Sequence, residues 1–260
     1  MVVDCRCVIV DSWGVSDGRL NRPSTIANQH KKSPIKDRAS PKSIVMQHIL
    51  IYGDSLSWGI IPNTRRRLSF TERWPGVMER ALVDGGHHVR VIEDCLNGRR
   101  TAWDDPFKPG RNALDGVEQR MEINSPLALV VLMLGANDFQ SVHQNNAWHS
   151  GQGLAAVIRA MRRAPIEPGM PVPPILVVAP PPITEPMGKP IWEKFDGAPA
   201  RSERAADAYA TIAAEMECQF FDAGRVVSTS AHDGIHLDAD QHALLGAALA
   251  KTVAALLAQL

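Results

Sequence analysis

The chain has little cysteine. Four thiols in 260 residues (Cys5, Cys7, Cys95 and Cys218) are too few and too scattered for a disulfide framework. They read as free or buried thiols of a reducing compartment, so a cytoplasmic location is expected. Net charge is lacking as well. Lys and Arg number 28 and so do Asp and Glu, which leaves no global field to recruit nucleic acid or an anionic membrane; neither is expected as a partner. There is no GxGxxG or Walker-type loop, so a nucleotide-binding role has no support, and no HExxH signature. No internal repeat occurs at solenoid periods. Nor is there a convincing secretory signal, because Met1 to Cys7 holds one acid and one base and the apolar patch Cys7 to Val10 is too short. The Ala/Leu-rich stretch from Ala243 to Leu260 approaches membrane-span length. It contains Lys251 and Gln259, however, and reads as a packed terminal helix.

What is present fits a globular chain: 45% apolar and 22% charged residues, with enough length for a substantial core. The charge balance hides a split. Residues 1 to 46 carry eight Lys/Arg against four Asp, which leaves 20 against 24 for the remainder. Residues 1–45 lack sustained periodicity and are rich in Ser, Lys, Pro and Asn, so they are expected to form a poorly ordered extension. The domain proper is expected over 46–260. Strands are expected at Ile49–Tyr52, Val89–Glu93, Leu127–Leu134, Ile175–Ala179 and Gln219–Asp222. Helices are expected at Pro75–Asp84, Leu114–Met121, Ser150–Ala164, Ala200–Met216 and Ala239–Leu260. Such alternation of short apolar strands with helices indicates α/β architecture, an open parallel sheet with helices on both faces.

One stretch organises the rest. Ile49 to Tyr52 is an apolar run that stops abruptly at Gly53-Asp54-Ser55, which presents the Ser55 hydroxyl at the end of a buried strand, where α/β sheets bind ligands. Taken alone, Ser55 could be a helix N-cap. A nucleophile would need a base, a group to orient that base, and an oxyanion site. Two further loops follow strand ends, Asn97-Gly98-Arg99 and Gly135-Ala136-Asn137-Asp138, and in a parallel sheet all three share one rim. Asp233-Gly234-Ile235-His236, before the final helix, offers an acid and an imidazole three residues apart on one loop. A metal site built from His232, Asp233, His236, Asp238 and His242 is the weaker alternative, since Gly234 argues for a loop.

Gly53-Asp54-Ser55-Leu56, a glycine in the second loop, Gly135-Ala136-Asn137-Asp138 and Asp233-Gly234-Ile235-His236 occur in an order that resembles the four blocks of the SGNH (GDSL) hydrolases, over residues 47 to 260. Asp104-Asp105-Pro106 and Val177 to Pro182 bring the bacterial arylesterase/acyltransferase branch closest. The resemblance implies a three-layer α/β/α sandwich with a flavodoxin-like parallel sheet. It implies Ser55 as nucleophile, His236 as base, Asp233 as its orienter, and an oxyanion hole made of the Ser55 and Gly98 N–H groups and the Asn137 amide. Asp54 and Asp138 read as braces, and Trp58 and Arg99 as substrate-pocket candidates. The implied enzyme is a serine esterase of short-chain aryl or alkyl acetate-type esters working through an acyl-enzyme, with acyl transfer to alcohols where water is excluded. Carbohydrate acetylesterase, lysophospholipase and thioesterase activity are alternatives with the same machinery, and a non-catalytic flavodoxin-like binding module is the alternative outside that class. No cofactor and no metal is expected. The partner is a small-molecule ester, and self-association into a homo-oligomer is left open.

Overall fold

The computed structural model describes residues 45–188 and 191–259. The expected N-terminal extension over 1–45 therefore lies almost wholly outside the described residues. Five strands, β1 (Gln47–Gly53), β2 (Val89–Cys95), β3 (Leu129–Met133), β4 (Ile175–Ala179) and β5 (Gln219–Asp222), form one sheet in the order β2-β1-β3-β4-β5. All four pairings are parallel. This is the doubly wound order of flavodoxin-like sheets, which reverses between β1 and β3 and opens a crevice beyond the carboxyl ends of those strands. The expected fold class is the observed one.

The inner strands are apolar on both faces because both are covered. In β1, Ile49 and Ile51 point to one face and Leu50 and Tyr52 to the other, as the two-residue period requires. All four are at most 1% exposed. Burying each such side chain contributes roughly 1.5–3 kcal/mol, so β1 is held firmly in the middle of the sheet. Helices α2 (Trp74–Asp84) and α8 (Ala239–Leu257) cover the first face through Trp74, Met78, Leu245 and Leu249. Helices α3 (Val117–Asn124), α4 (Ala147–Arg163) and α7 (Ala205–Glu215) cover the second. Three shorter helices, α1 (Ser55–Trp58), α5 (Ile191–Lys194) and α6 (Ala198–Ser202), lie in the connections.

Strands β4 and β5 begin and end where expected. Helix α8 ends at Leu257, short of the expected Leu260, and three further helices differ. α3 starts at Val117 because Gly116, at a φ of 72°, sets its N-cap and leaves Leu114 outside. α4 starts at Ala147 because Asn146 and His149 cap it reciprocally, Asn146 Oδ1 accepting from the His149 N–H at 3.1 Å. The helix expected over Ala200–Met216 is two helices, α6 and α7. The break at Glu203 and Arg204 lets Ala198 and Ala205 both pack against Phe139 and Phe195 in a small cluster apart from the main core. Among the described residues, no helix is long and apolar enough to cross a membrane.

Candidate active site

The turn after β1 is tight. Asp54, fully buried, is the N-cap of α1 and its Oδ1 accepts from the Leu56 N–H at 2.9 Å. The capping role weighed for Ser55 thus belongs to Asp54, which leaves the Ser55 hydroxyl free for a different partner. That partner is His236, whose Nε2 lies 3.1 Å from Ser55 Oγ across 181 residues of sequence. On the other side of the ring, Nδ1 lies 2.7 Å from Asp233 Oδ2.

The loop carrying His236 is fixed by its own backbone. Asp233 Oδ1 accepts from the N–H groups of Ile235 and His236 at 3.0 and 2.8 Å. Gly234 takes a φ of +74°, and a Cβ there would stand 2.3 Å from the Glu185 carbonyl oxygen, so a side chain at 234 is excluded twice over. Asn63 closes the loop from outside: its N–H donates to Asp233 Oδ2 at 3.3 Å and its side chain donates to the His232 carbonyl. Desolvation pushes the Asp233 carboxyl up. The hydrogen bond and charge of His236, with the two backbone N–H groups, outweigh it and hold that carboxyl below its ordinary value.

On the facing loop, Asn137 sits in a short 3-10 helix (Ala136–Phe139) after β3. Its Nδ2 donates to Asp54 Oδ2 at 3.0 Å and to the Arg99 carbonyl at 3.2 Å, while its Oδ1 accepts from Gln140 Nε2 at 2.8 Å. Gln140 Oε1 in turn accepts from Arg100, which pairs with Asp105 at 2.7 Å. Asp138, fully buried, accepts from the Thr101 N–H at 2.9 Å, from the Thr101 hydroxyl at 2.7 Å and from Ser150 Oγ, which also meets the Tyr209 hydroxyl. Burial raises both Asp54 and Asp138 to about 6. Gly98 has a φ of +85°, with only ordinary contacts where a Cβ would be, so its glycine is required by backbone conformation and not by crowding.

Ser55, Gly98, Asn137, Asp233 and His236 line one cavity of about 350 Å³. The two pocket candidates do not. Arg99 turns inward beneath the loop, its Nη1 donating to the Gly53 and Asp94 carbonyls at 3.0 and 2.6 Å, its Nη2 pairing with Asp94 at 2.6 Å, and its guanidinium 4.0 Å above the Tyr52 ring. Trp58 lies under the Arg67 guanidinium, 4.8 Å from its ring, on a part-buried surface beside the cavity. The residues weighed as metal ligands also part company. Asp238 accepts from Ser230, and His242 accepts from the Trp74 N–H at 3.2 Å inside the α2–α8 packing.

A family model described as GDSL-like lipase/acylhydrolase matches residues 51–244. The chain belongs to that family. It is a family of ester-cleaving enzymes, the enzyme class that the motifs implied. An aryl esterase from M. smegmatis is 32% identical, with a TM-score of 0.77 over 81% of this chain and 99% of that one. A carbohydrate acetylesterase from Sinorhizobium meliloti is 34% identical, with a TM-score of 0.76 over 81% of this chain and 99% of that one. An arylesterase from Vibrio mimicus is 30% identical over 99 residues, 38% of this chain and 42% of its own length, so less than half of that relative is spanned.

Several residues that build the site carry no signal in a GDSL-type pattern. Asn63 lies in a polar loop, 170 positions before the aspartate it holds. Gln140, Thr101, Ser150 and Tyr209 come from four separate segments and meet only through the fold.

Proposed function

We propose that the chain is a serine esterase that hydrolyses short-chain carboxylic esters through an acyl-enzyme, with Ser55 as nucleophile. The observation that carries this reading is the line Asp233 Oδ2–His236 Nδ1 at 2.7 Å and His236 Nε2–Ser55 Oγ at 3.1 Å. His236 takes the Ser55 proton as Oγ attacks the ester carbonyl, then returns it to the leaving alcohol. Asp233 fixes the tautomer that leaves Nε2 free to accept, and stabilises the imidazolium. A water molecule or a second alcohol then attacks the acyl-enzyme with His236 again as base, which gives hydrolysis or acyl transfer.

The oxyanion is assigned to the N–H groups of Ser55 and Gly98 and to Asn137 Nδ2. The amide proton now given to Arg99 O, in the longer of its two hydrogen bonds, is the one available for that purpose. Each such donor is worth about 2.7–4 kcal/mol of transition-state stabilisation in a comparable hydrolase. A cavity of about 350 Å³ that must hold both acyl and leaving groups favours small acyl chains. The similarity to a carbohydrate acetylesterase supports acetylated sugars as a second substrate class.

The test is hydrolysis of 4-nitrophenyl esters across acyl length by the parent and by Ser55→Ala. We expect a maximum at acetyl to butyryl and a loss of about 10⁶-fold in the variant, the size found when a triad serine is removed elsewhere. Retention of activity in Ser55→Ala would exclude the nucleophile. An optimum at long acyl chains would exclude the short-chain assignment.

A further inference from the structure

The cavity that holds Ser55 and His236 is not electrically neutral, although the chain as a whole is. Arg65, Lys108 and Lys194 all reach its wall, each from a different segment: the loop after α1, the turn after Asp105, and α5. Two carboxylates share the same wall, and both are spoken for. Asp105 pairs with Arg100 at 2.7 Å and accepts from the N–H groups of Phe107 and Lys108 at 2.9 and 3.1 Å. Asp233 pairs with His236. Among the described residues, no carboxylate forms an ion pair with Arg65, Lys108 or Lys194. Among the described residues, three cations thus stand on the wall of one small cavity without an ion pair of their own.

The backbone of α5 that carries Lys194 is anchored beside the cavity. The Ser141 N–H donates to the Lys194 carbonyl at 2.9 Å and Ser141 Oγ to the Glu193 carbonyl at 3.1 Å. Phe195 is buried against Phe139. Lysines on an open surface are usually just solvated. Arg65, Lys108 and Lys194 are exposed at the mouth of the cavity, yet partial loss of hydration lowers the Lys194 pKa, and the charges of Arg100, Lys108 and Arg65 lower it further against the opposing pull of Asp105. The cations thus repel one another around a hollow space, and an anion placed there would relieve that repulsion.

We propose that this esterase site selects esters that carry an anionic group, such as a carboxylate, close to the scissile bond, with Arg65, Lys108 and Lys194 as the groups that recognise it. The inference rests on the esterase reading above and adds the charge of its substrate. The anion can belong to the acyl chain or to the leaving alcohol, and the two are separated by experiment.

Two matched pairs serve. 3-Acetoxybenzoate against phenyl acetate places the anion on the alcohol, and monophenyl adipate against phenyl hexanoate places it on the acyl chain. The quantity read is the ratio of kcat/KM for the anionic ester to that for its neutral twin, in the parent, Lys108→Gln, Lys194→Gln, the double variant and Lys194→Arg. We expect the ratio for one pair to fall roughly two- to fivefold for each cation removed and roughly tenfold in the double variant, with Lys194→Arg close to the parent. The ratio should also shrink as salt rises from about 0.02 to about 0.5 M, as screening requires. A ratio that neither variant nor salt changes, for both pairs, overturns the proposal. Calorimetric titration of Ser55→Ala with the same four esters reads binding without turnover. Tighter binding of an anionic ester, weakened by the added Lys194→Gln change, supports the proposal even if the parent cleaves none of the four, in which case the esterase reading alone has failed. Equal binding of both members of each pair sinks the charge selection and leaves the esterase reading untouched.

Discussion

Two loops each bring a fully buried aspartate to the rim of the sheet, and the two carboxyls behave in opposite ways. Asp233 accepts from three backbone N–H groups and from the ring of His236. Asp138 accepts from one backbone N–H and from the hydroxyls of Thr101 and Ser150. Both suffer the desolvation that raises a buried acid. Asp233 nevertheless ends below its ordinary value while Asp138 rises to about 6. The difference is the partner at hydrogen-bond distance. An imidazole that takes up charge stabilises the carboxylate, whereas neutral hydroxyls only partly offset burial, and the nearby Arg100 charge adds a smaller pull. Asp233 is therefore suited to answering a charge that appears during reaction. Asp138 is suited to holding Thr101, Ser150 and Tyr209 in register beneath the loop that carries Asn137.

The comparison breaks most visibly at Asp233. Asp233→Asn keeps the size and one of the two acceptor oxygens but lets the imidazole adopt the wrong tautomer. We expect kcat on 4-nitrophenyl acetate to fall about 10⁴-fold with the far-UV circular dichroism unchanged. A fall of less than about tenfold would mean that Asp233 is scaffolding too, and the contrast with Asp138 would vanish. The next effect is on the facing loop. Asn137→Ala removes the amide proposed as an oxyanion donor and is expected to lower kcat by about 10²–10³ with KM nearly unchanged. A rise in KM at constant kcat would instead place the amide in ground-state binding.

How much of this could be read beforehand follows from how local each contact is. Asp233 and His236 are three residues apart with a glycine between them, so their meeting was legible. Ser55 was legible because an apolar strand ends at it. The five strands were legible because the buried ones are apolar on both faces, and β4 is bounded by prolines on both sides. Arg99 was misplaced because a rim position says nothing about which way a side chain turns, and Asp94 and Tyr52 drew it inward. The cluster of Arg65, Lys108 and Lys194 has no common spacing at all. It exists only because two loops and α5 meet at one cavity.

The smallest expected effect is the sharpest test of the contrast, because it has a sign. Asp138 keeps its proton in the folded chain up to about pH 6, whereas the unfolded chain releases it near the ordinary value of 3.8. Its contribution to stability is thus fully present below about pH 4 and is lost as the pH rises toward 6. Asp233 runs the other way: its contribution is present above the ordinary carboxyl range and is lost as the pH falls through its depressed value. Asp54, also raised to about 6, titrates in the same window as Asp138, so the parent curve alone does not separate them. Asp138→Asn does. The variant should be less stable than the parent at pH 4, since an amide cannot accept all the hydrogen bonds that the carboxyl accepts, and urea midpoints should show the deficit shrinking from pH 4 to 7. The change should be about 1.4 kcal/mol for each pH unit between the two pKa values, or about 3 kcal/mol over the window. A deficit that stays constant would mean that Asp138 titrates alike in both states. One that grows with pH would mean that Arg100, and not burial, governs Asp138, and the two aspartates would then be alike after all.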